Sequence, residues 1–260
     1  MSWVELPDIV LHAELTGGGP HSLVLLHELG GSLDSFDHVV ARLSTGFRTL
    51  RYDQRGAGLS EKPRQPFGLD DQLRDLQGIL AATGLQPPYT LAGVAAGCAV
   101  AVAYALAAPA QVANLLLCCP ALTVPPERRG YLIDRSDRAA REGMRAIATA
   151  SLDRSYPQML RQDGRFDAYR ARFIANDPVT YGHANRALAD TDIATRLGDL
   201  AVPVHVLAGR HDLLRPPADV QAVAVAIPGA SFAIVDSGHL MAVQAPDALA
   251  AALSSLTDRS

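Results

Sequence analysis

The chain has 260 residues, of which 48% are apolar, with a net charge of −4 and an isoelectric point near 6.0. That length suits one large α/β domain with an insertion and is short for two independent domains. The composition excludes a disordered chain, and the slightly acidic balance offers no surface for nucleic acid.

The opening MSWVELPDIV has no basic segment followed by an apolar one, so no signal peptide is expected. Short apolar, β-rich runs then recur at 9–14, 22–27, 47–52, 89–93, 112–119, 204–208 and 231–235. The first two lie close together and are expected to form an antiparallel start. Helix-length segments at 34–43, 69–82, 96–107, 218–226 and 246–256 fill most of the gaps. Strands alternating with helices predict a mostly parallel sheet covered on both faces. Residues 91–110 carry no charge over a length that would span a membrane. They are rich in alanine and glycine, contain Pro109 and follow a strand-like YTLAG, so a buried strand, turn and helix is the better reading. The alternation stops between about 123 and 199, where ERRGYLIDRSDRAAREGMRAIATA shows helical spacing and no strand. This stretch is expected to be a helical cap, 123–199, inserted into a core formed by 1–122 and 200–260. Cys98, Cys118 and Cys119 sit in apolar runs and read as small core residues in a reducing, cytoplasmic compartment.

In such sheets the loops at the carboxyl ends of the strands form the ligand crevice. Here they read His27-Glu28-Leu29-Gly30-Gly31-Ser32, Asp53-Gln54-Arg55-Gly56-Ala57-Gly58, Gly93-Val94-Ala95-Ala96-Gly97, Gly209-Arg210-His211-Asp212 and Asp236-Ser237-Gly238-His239. The glycines at 93 and 97 have the spacing of a G-x-S-x-G nucleophile elbow, but alanine stands where the serine should attack.

Taken together these loops resemble the α/β-hydrolase superfamily over residues 7–256. YDQRGAGLSEKP, GRHDLLRPP and SGHLMAVQAPDALAAAL are closest to its branch of 3-oxoadipate enol-lactonases and small carboxylesterases. The resemblance implies that Asp212 is the triad acid and His239 the base, and that Ala95 marks a vacant nucleophile position. It implies an oxyanion hole from the N–H groups of Leu29 and Ala96, with Asp53 and Arg55 tying loops together beneath the site. Two departures stand out. Ala95 is one. The other is Glu28, where the family often has glycine; a glutamate there either orients the oxyanion loop or, as the favoured expectation, points to solvent and pairs with an arginine. Cys98 is expected to pack in the core, and neither Ser32 nor Ser237 sits on an elbow to act as a surrogate.

Several functions remain open to this pattern. The chain is an inactivated Ser-His-Asp hydrolase of a small ester or lactone, or a natural variant in which Asp212 and His239 act on water. Alternatively it is a small-molecule-binding protein on a hydrolase scaffold, or a lyase or isomerase with His239 as base. The helical insertion carries Arg128, Arg129, Arg135, Arg138, Arg141 and Arg145; one or two turned inward would suit a substrate carboxylate. No metal-ligand cluster and no phosphate loop is visible, so no cofactor is expected. The expected partner is a small-molecule substrate, not nucleic acid or a membrane.

Overall fold

The computed structural model describes residues 2–161 and 163–257. In chain order the elements are β1 (Ser2–Leu6), β2 (Ile9–Gly17), β3 (His21–Leu26), α1 (Asp37–Val40), β4 (Phe47–Tyr52), α2 (Leu69–Thr83), β5 (Tyr89–Val94), α3 (Gly97–Ala107) and β6 (Val112–Cys118). Then come α4 (Pro126–Glu142), α5 (Met144–Ser155), α6 (Arg165–Ala175), α7 (Pro178–Asp190), β7 (Val204–Gly209), α8 (Pro217–Val225), β8 (Ser231–Val235), α9 (Met241–Gln244) and α10 (Pro246–Thr257). The strands form one sheet in the order β1-β2-β4-β3-β5-β6-β7-β8. From β4 to β8 in that order, neighbouring strands are parallel. The chain is thus α/β, with helices on both faces.

The start of the sheet differs from the sequence expectation. Runs 9–14 and 22–27 do not pair. Instead β2 lies antiparallel between β1 and β4, and β3 lies between β4 and β5. Nearness in sequence gave the wrong partner because β1 supplies the hairpin mate. Its exposed Trp3 and mixed SWVEL pattern conceal a strand that packs only one side at the sheet edge.

Side-chain alternation assigns the two faces. Val24 and Leu26 point into one core with Leu76 and Ile79 of α2, the apolar stretch of α3, and Val220 of α8. Leu23 and Leu25 point into the other, with Val39 of α1 and Leu249 and Leu253 of α10. The period of two in a strand and the 3.6-residue turn of a helix make both layers possible. All residues of α3 from Gly97 to Ala105 are buried, which accounts for the uncharged 91–110 stretch. Among the described residues no helix is long and apolar enough to cross a membrane.

Helices α4 to α7 lie between β6 and β7 and share a third apolar cluster of their own. It includes Ile147, Leu152, Tyr169, Phe173 and Tyr181, and it takes in Leu240 and Val243 from the segment after β8.

Two loops are tied beneath this insert. Asp53 Oδ1 accepts from the Leu33 N–H at 2.8 Å, and its Oδ2 from the Leu59 N–H at 2.8 Å. Arg55 donates twice to Asp75, from Nε at 2.7 Å and from Nη2 at 2.6 Å, with both side chains buried. Removing one partner of such a pair strands the other charge. We expect Asp75→Ala to cost about 3–5 kcal/mol, read as a shift in the urea unfolding midpoint. A loss under about 1 kcal/mol would contradict that account.

Candidate active site

The turn after β5 keeps the shape of an elbow without its serine. Ala95 has φ +50°, in the left-handed region, and a non-glycine residue there costs about 1–2 kcal/mol. Its backbone is held on both sides: the Ala95 N–H donates to Cys118 O at 2.9 Å, and its carbonyl accepts from Ala121 N–H at 3.1 Å. The glycines are required by close approach. A Cβ at Gly97 would stand 2.2 Å from Leu26 O, and one at Gly93 would stand 2.6 Å from Cys98 N. These contacts let α3 start directly against β3 and β5.

Asp212 and His239 are brought together from the loops after β7 and β8. His239 Nδ1 lies 2.7 Å from Asp212 Oδ2, and Asp212 is 3% exposed. The other carboxylate oxygen, Oδ1, accepts from the Leu214 N–H at 2.8 Å and the Arg215 N–H at 2.9 Å. Burial would raise Asp212, but the His239 charge and hydrogen bond together with those two N–H groups hold it below its ordinary value. An ionised Asp212 fixes the proton on Nδ1 and leaves Nε2 as the free, basic nitrogen. Nε2 has no hydrogen-bond partner among the described residues.

His239 and Ala95 line one cavity of about 280 Å³. Leu29 and Ala96 line it too, and neither of their N–H groups has an acceptor among the described residues. The roof is formed by α4 to α7, including Tyr131, Arg135, Tyr169 and Tyr181, with Arg215 from the loop after β7. Arg128, Arg135, Arg154 and Arg215 all border it, and none forms an ion pair with a carboxylate among the described residues. Arg135 Nε is buried with no hydrogen-bond partner among the described residues. Burial, then the neighbouring Arg128, holds Arg215 below its ordinary value. Of the arginines singled out in the sequence, Arg128 and Arg135 border the cavity; Arg135 is half-buried and Arg128 stays exposed, donating to Leu214 O at 3.0 Å. Arg129 and Arg138 instead pair with Asp190 and Glu142 on the surface. Nothing in the sequence marks out Arg154 and Arg215, which border the cavity as well. The Tyr169/Phe173 spacing on α6 was the signal available for the roof.

The solvent-facing expectation for Glu28 is overturned. Its side chain does not face solvent or meet an arginine. Glu28 is 1% exposed, borders the cavity, and accepts from Ser35 Oγ at 2.7 Å through Oε1. Cys98, Ser32 and Ser237 do not line the cavity. Cys98 Sγ points back to Gly93 O at 3.1 Å, and burial pushes its thiol far up. Ser32 caps the turn at Leu33–Phe36, and Ser237 donates to Gly238 O at 3.1 Å.

Ligand atoms of Cys119, Asp212 and His239 lie within 4.8 Å of one another. That trio suits a metal poorly. A metal needs the thiolate, and burial followed by the Asp212 charge pushes the Cys119 thiol far up. Nδ1 and Oδ2 are also already spent on each other.

Comparison with known proteins decides the lineage. Residues 21–246 match the family model for the alpha/beta hydrolase fold. The chain belongs to the α/β-hydrolase family. It is 34% identical to the putative carbamate hydrolase RutD of Variovorax paradoxus, over 79% of this chain and 80% of that one. It is 22% identical to 3-oxoadipate enol-lactonase 2 of Acinetobacter baylyi, over 92% and 89% of the two chains. The enol-lactonase of Burkholderia xenovorans superposes with a TM-score of 0.92 at 28% identity, covering 99% of this chain and all of that one. Within the α/β-hydrolases the chain lies in the enol-lactonase and esterase branch.

Proposed function

We propose that the chain hydrolyses a small ester, lactone or carbamate that bears a carboxylate, and that it does so through water and not through an acyl-enzyme. The observation that carries this is the Asp212–His239 pair, with Nε2 unengaged, in a cavity whose elbow holds Ala95. A protein that only stores a ligand has no use for an imidazole held in one tautomer. The related carbamate hydrolase and enol-lactonase support the class of bond.

In this mechanism water occupies the space over Ala95. Nε2 takes a proton as the water oxygen attacks the carbonyl carbon. The negative charge that develops on the carbonyl oxygen is met by the N–H groups of Leu29 and Ala96, which have no other partner among the described residues. The tetrahedral intermediate collapses, the bond to the leaving oxygen or nitrogen breaks, and the imidazolium returns its proton to that atom. Asp212 balances the imidazolium charge throughout. Helices α4 to α7 act as the cap that reads the substrate, and Arg135 and Arg215 receive its carboxylate. Losing the covalent step is severe, yet oxyanion stabilisation and binding alone supply roughly 10³–10⁴-fold over water in comparable sites.

The test uses carboxylate-bearing esters, lactones and carbamates in ¹⁸O-labelled water. The label should enter the acid product, with no burst and no mass adduct on the quenched protein. Arg135→Ala should raise KM for the anionic substrate and leave a neutral ester of the same size unaffected. A ligand that is bound and returned unchanged would make this a binding protein.

A further inference from the structure

Asp212 holds the ring of His239, and a second set of bonds holds its backbone. The His239 N–H donates to Ser155 O at 3.3 Å, and the next N–H, of Leu240, donates to Gln244 Oε1 at 3.0 Å. Gln244 Nε2 then donates to the same Ser155 carbonyl at 3.1 Å. The three bonds close a ring around the Cα of His239, so both peptide groups that flank the imidazole are held. The amide has one orientation in this ring, because a backbone N–H only donates and a carbonyl only accepts. Gly238 makes room for it: a Cβ there would stand 2.9 Å from Oε1 and 3.0 Å from Nε2. Gln244 itself is buried and does not border the cavity.

Helix capping accounts for half of this. Leu240 is the N-cap of α9, and a glutamate at 244 would accept from its N–H as well as a glutamine does. Capping does not call for a donor aimed at Ser155, 89 residues away in sequence. We infer that Gln244 is a positioning residue for His239, and that it acts through the donor half of its amide. A reacting group displaced by about 1 Å loses about 10²-fold in rate, so the placement of this backbone bears directly on the dyad. This inference rests on reading His239 as the base of the cavity.

Two measurements on the whole chain test it. The first is the far-downfield proton NMR resonance of His239 Nδ1–H, assigned by its loss in His239→Ala. The second is kcat and KM for para-nitrophenyl acetate at about pH 8, where a glutamate is ionised. Gln244→Glu keeps the acceptor and loses the donor; it should broaden the resonance and lower kcat about tenfold. Gln244→Met, of similar shape, loses both; it should abolish the resonance and lower kcat about 10²-fold. KM should stay within about twofold in each, since the side chain lies outside the cavity. A merely structural glutamine would shift the urea midpoint and leave the resonance and kcat of the folded variants as in the parent. Should Gln244→Met fail to fold, Gln244→Glu decides alone. If the resonance responds in this order but the parent does not hydrolyse the ester, the assignment stands and the hydrolytic reading falls. No resonance in the parent, one as sharp in Gln244→Glu as in the parent, or a loss carried by KM with kcat unchanged would each overturn it.

Discussion

Ala95→Ser is expected to turn an unlabelled protein into one labelled by a fluorophosphonate probe, with mass spectrometry placing the adduct on residue 95. The argument runs through the backbone. Ala95 already sits at φ +50°, with Gly93 and Gly97 leaving the space that the turn needs. A serine inherits that geometry, and its Oγ enters the cavity that His239 lines. The tautomer set by Asp212 leaves Nε2 to take the hydroxyl proton. The added atom borders an open space, so overpacking should cost little. Labelling should fall when His239 is also replaced by Ala. A folded serine variant that stays unlabelled would show that the site has diverged at more than one position. Labelling of the unaltered chain at Ser32, Ser237 or Cys98 would refute the vacancy itself.

His239→Ala should lower kcat for hydrolysis by about 10²–10⁴-fold, the usual worth of a positioned general base. Asp212→Asn should fall in the same range, because an amide leaves the wrong nitrogen protonated. Added imidazole should restore part of the activity of His239→Ala and none of that of Asp212→Asn. The fold should persist in the histidine variant, since its ring lines the cavity and does not sit in either face of the sheet. Activity within about twofold of the parent would remove His239 from the mechanism.

The parallel strands and their crossover helices were legible because alternating and 3.6-spaced apolar residues are local signals. Leu23 to Leu26 alternate between the two cores in one short run. Strand pairing is not local, so nearness in sequence points to a pairing of β2 with β3 that the sheet does not make. The candidate site was readable as a set of loops, and the glycines around Ala95 make an elbow that holds alanine. What the chain could not show was direction. Glu28 reads as a surface charge until Gly31 and Ser35 are seen to make a recess for it. Arg215 reads as part of a turn until the α4–α7 insert closes over it, and Arg128 and Arg129, adjacent in sequence, end on different sides of one helix.

The dyad histidine is fastened to the helical insert. His239 N–H donates to Ser155 O at the end of α5 at 3.3 Å, and Gln244 Nε2 donates to the same carbonyl at 3.1 Å. Arg165 at the start of α6 donates to Val243 O at 2.8 Å, and Leu240 and Val243 share the apolar cluster of the insert. The arrangement works as an interlock. A displacement of α5 and α6 would pull on the segment that carries the imidazole. The position of the imidazole is therefore tied to that of the helices that roof the cavity.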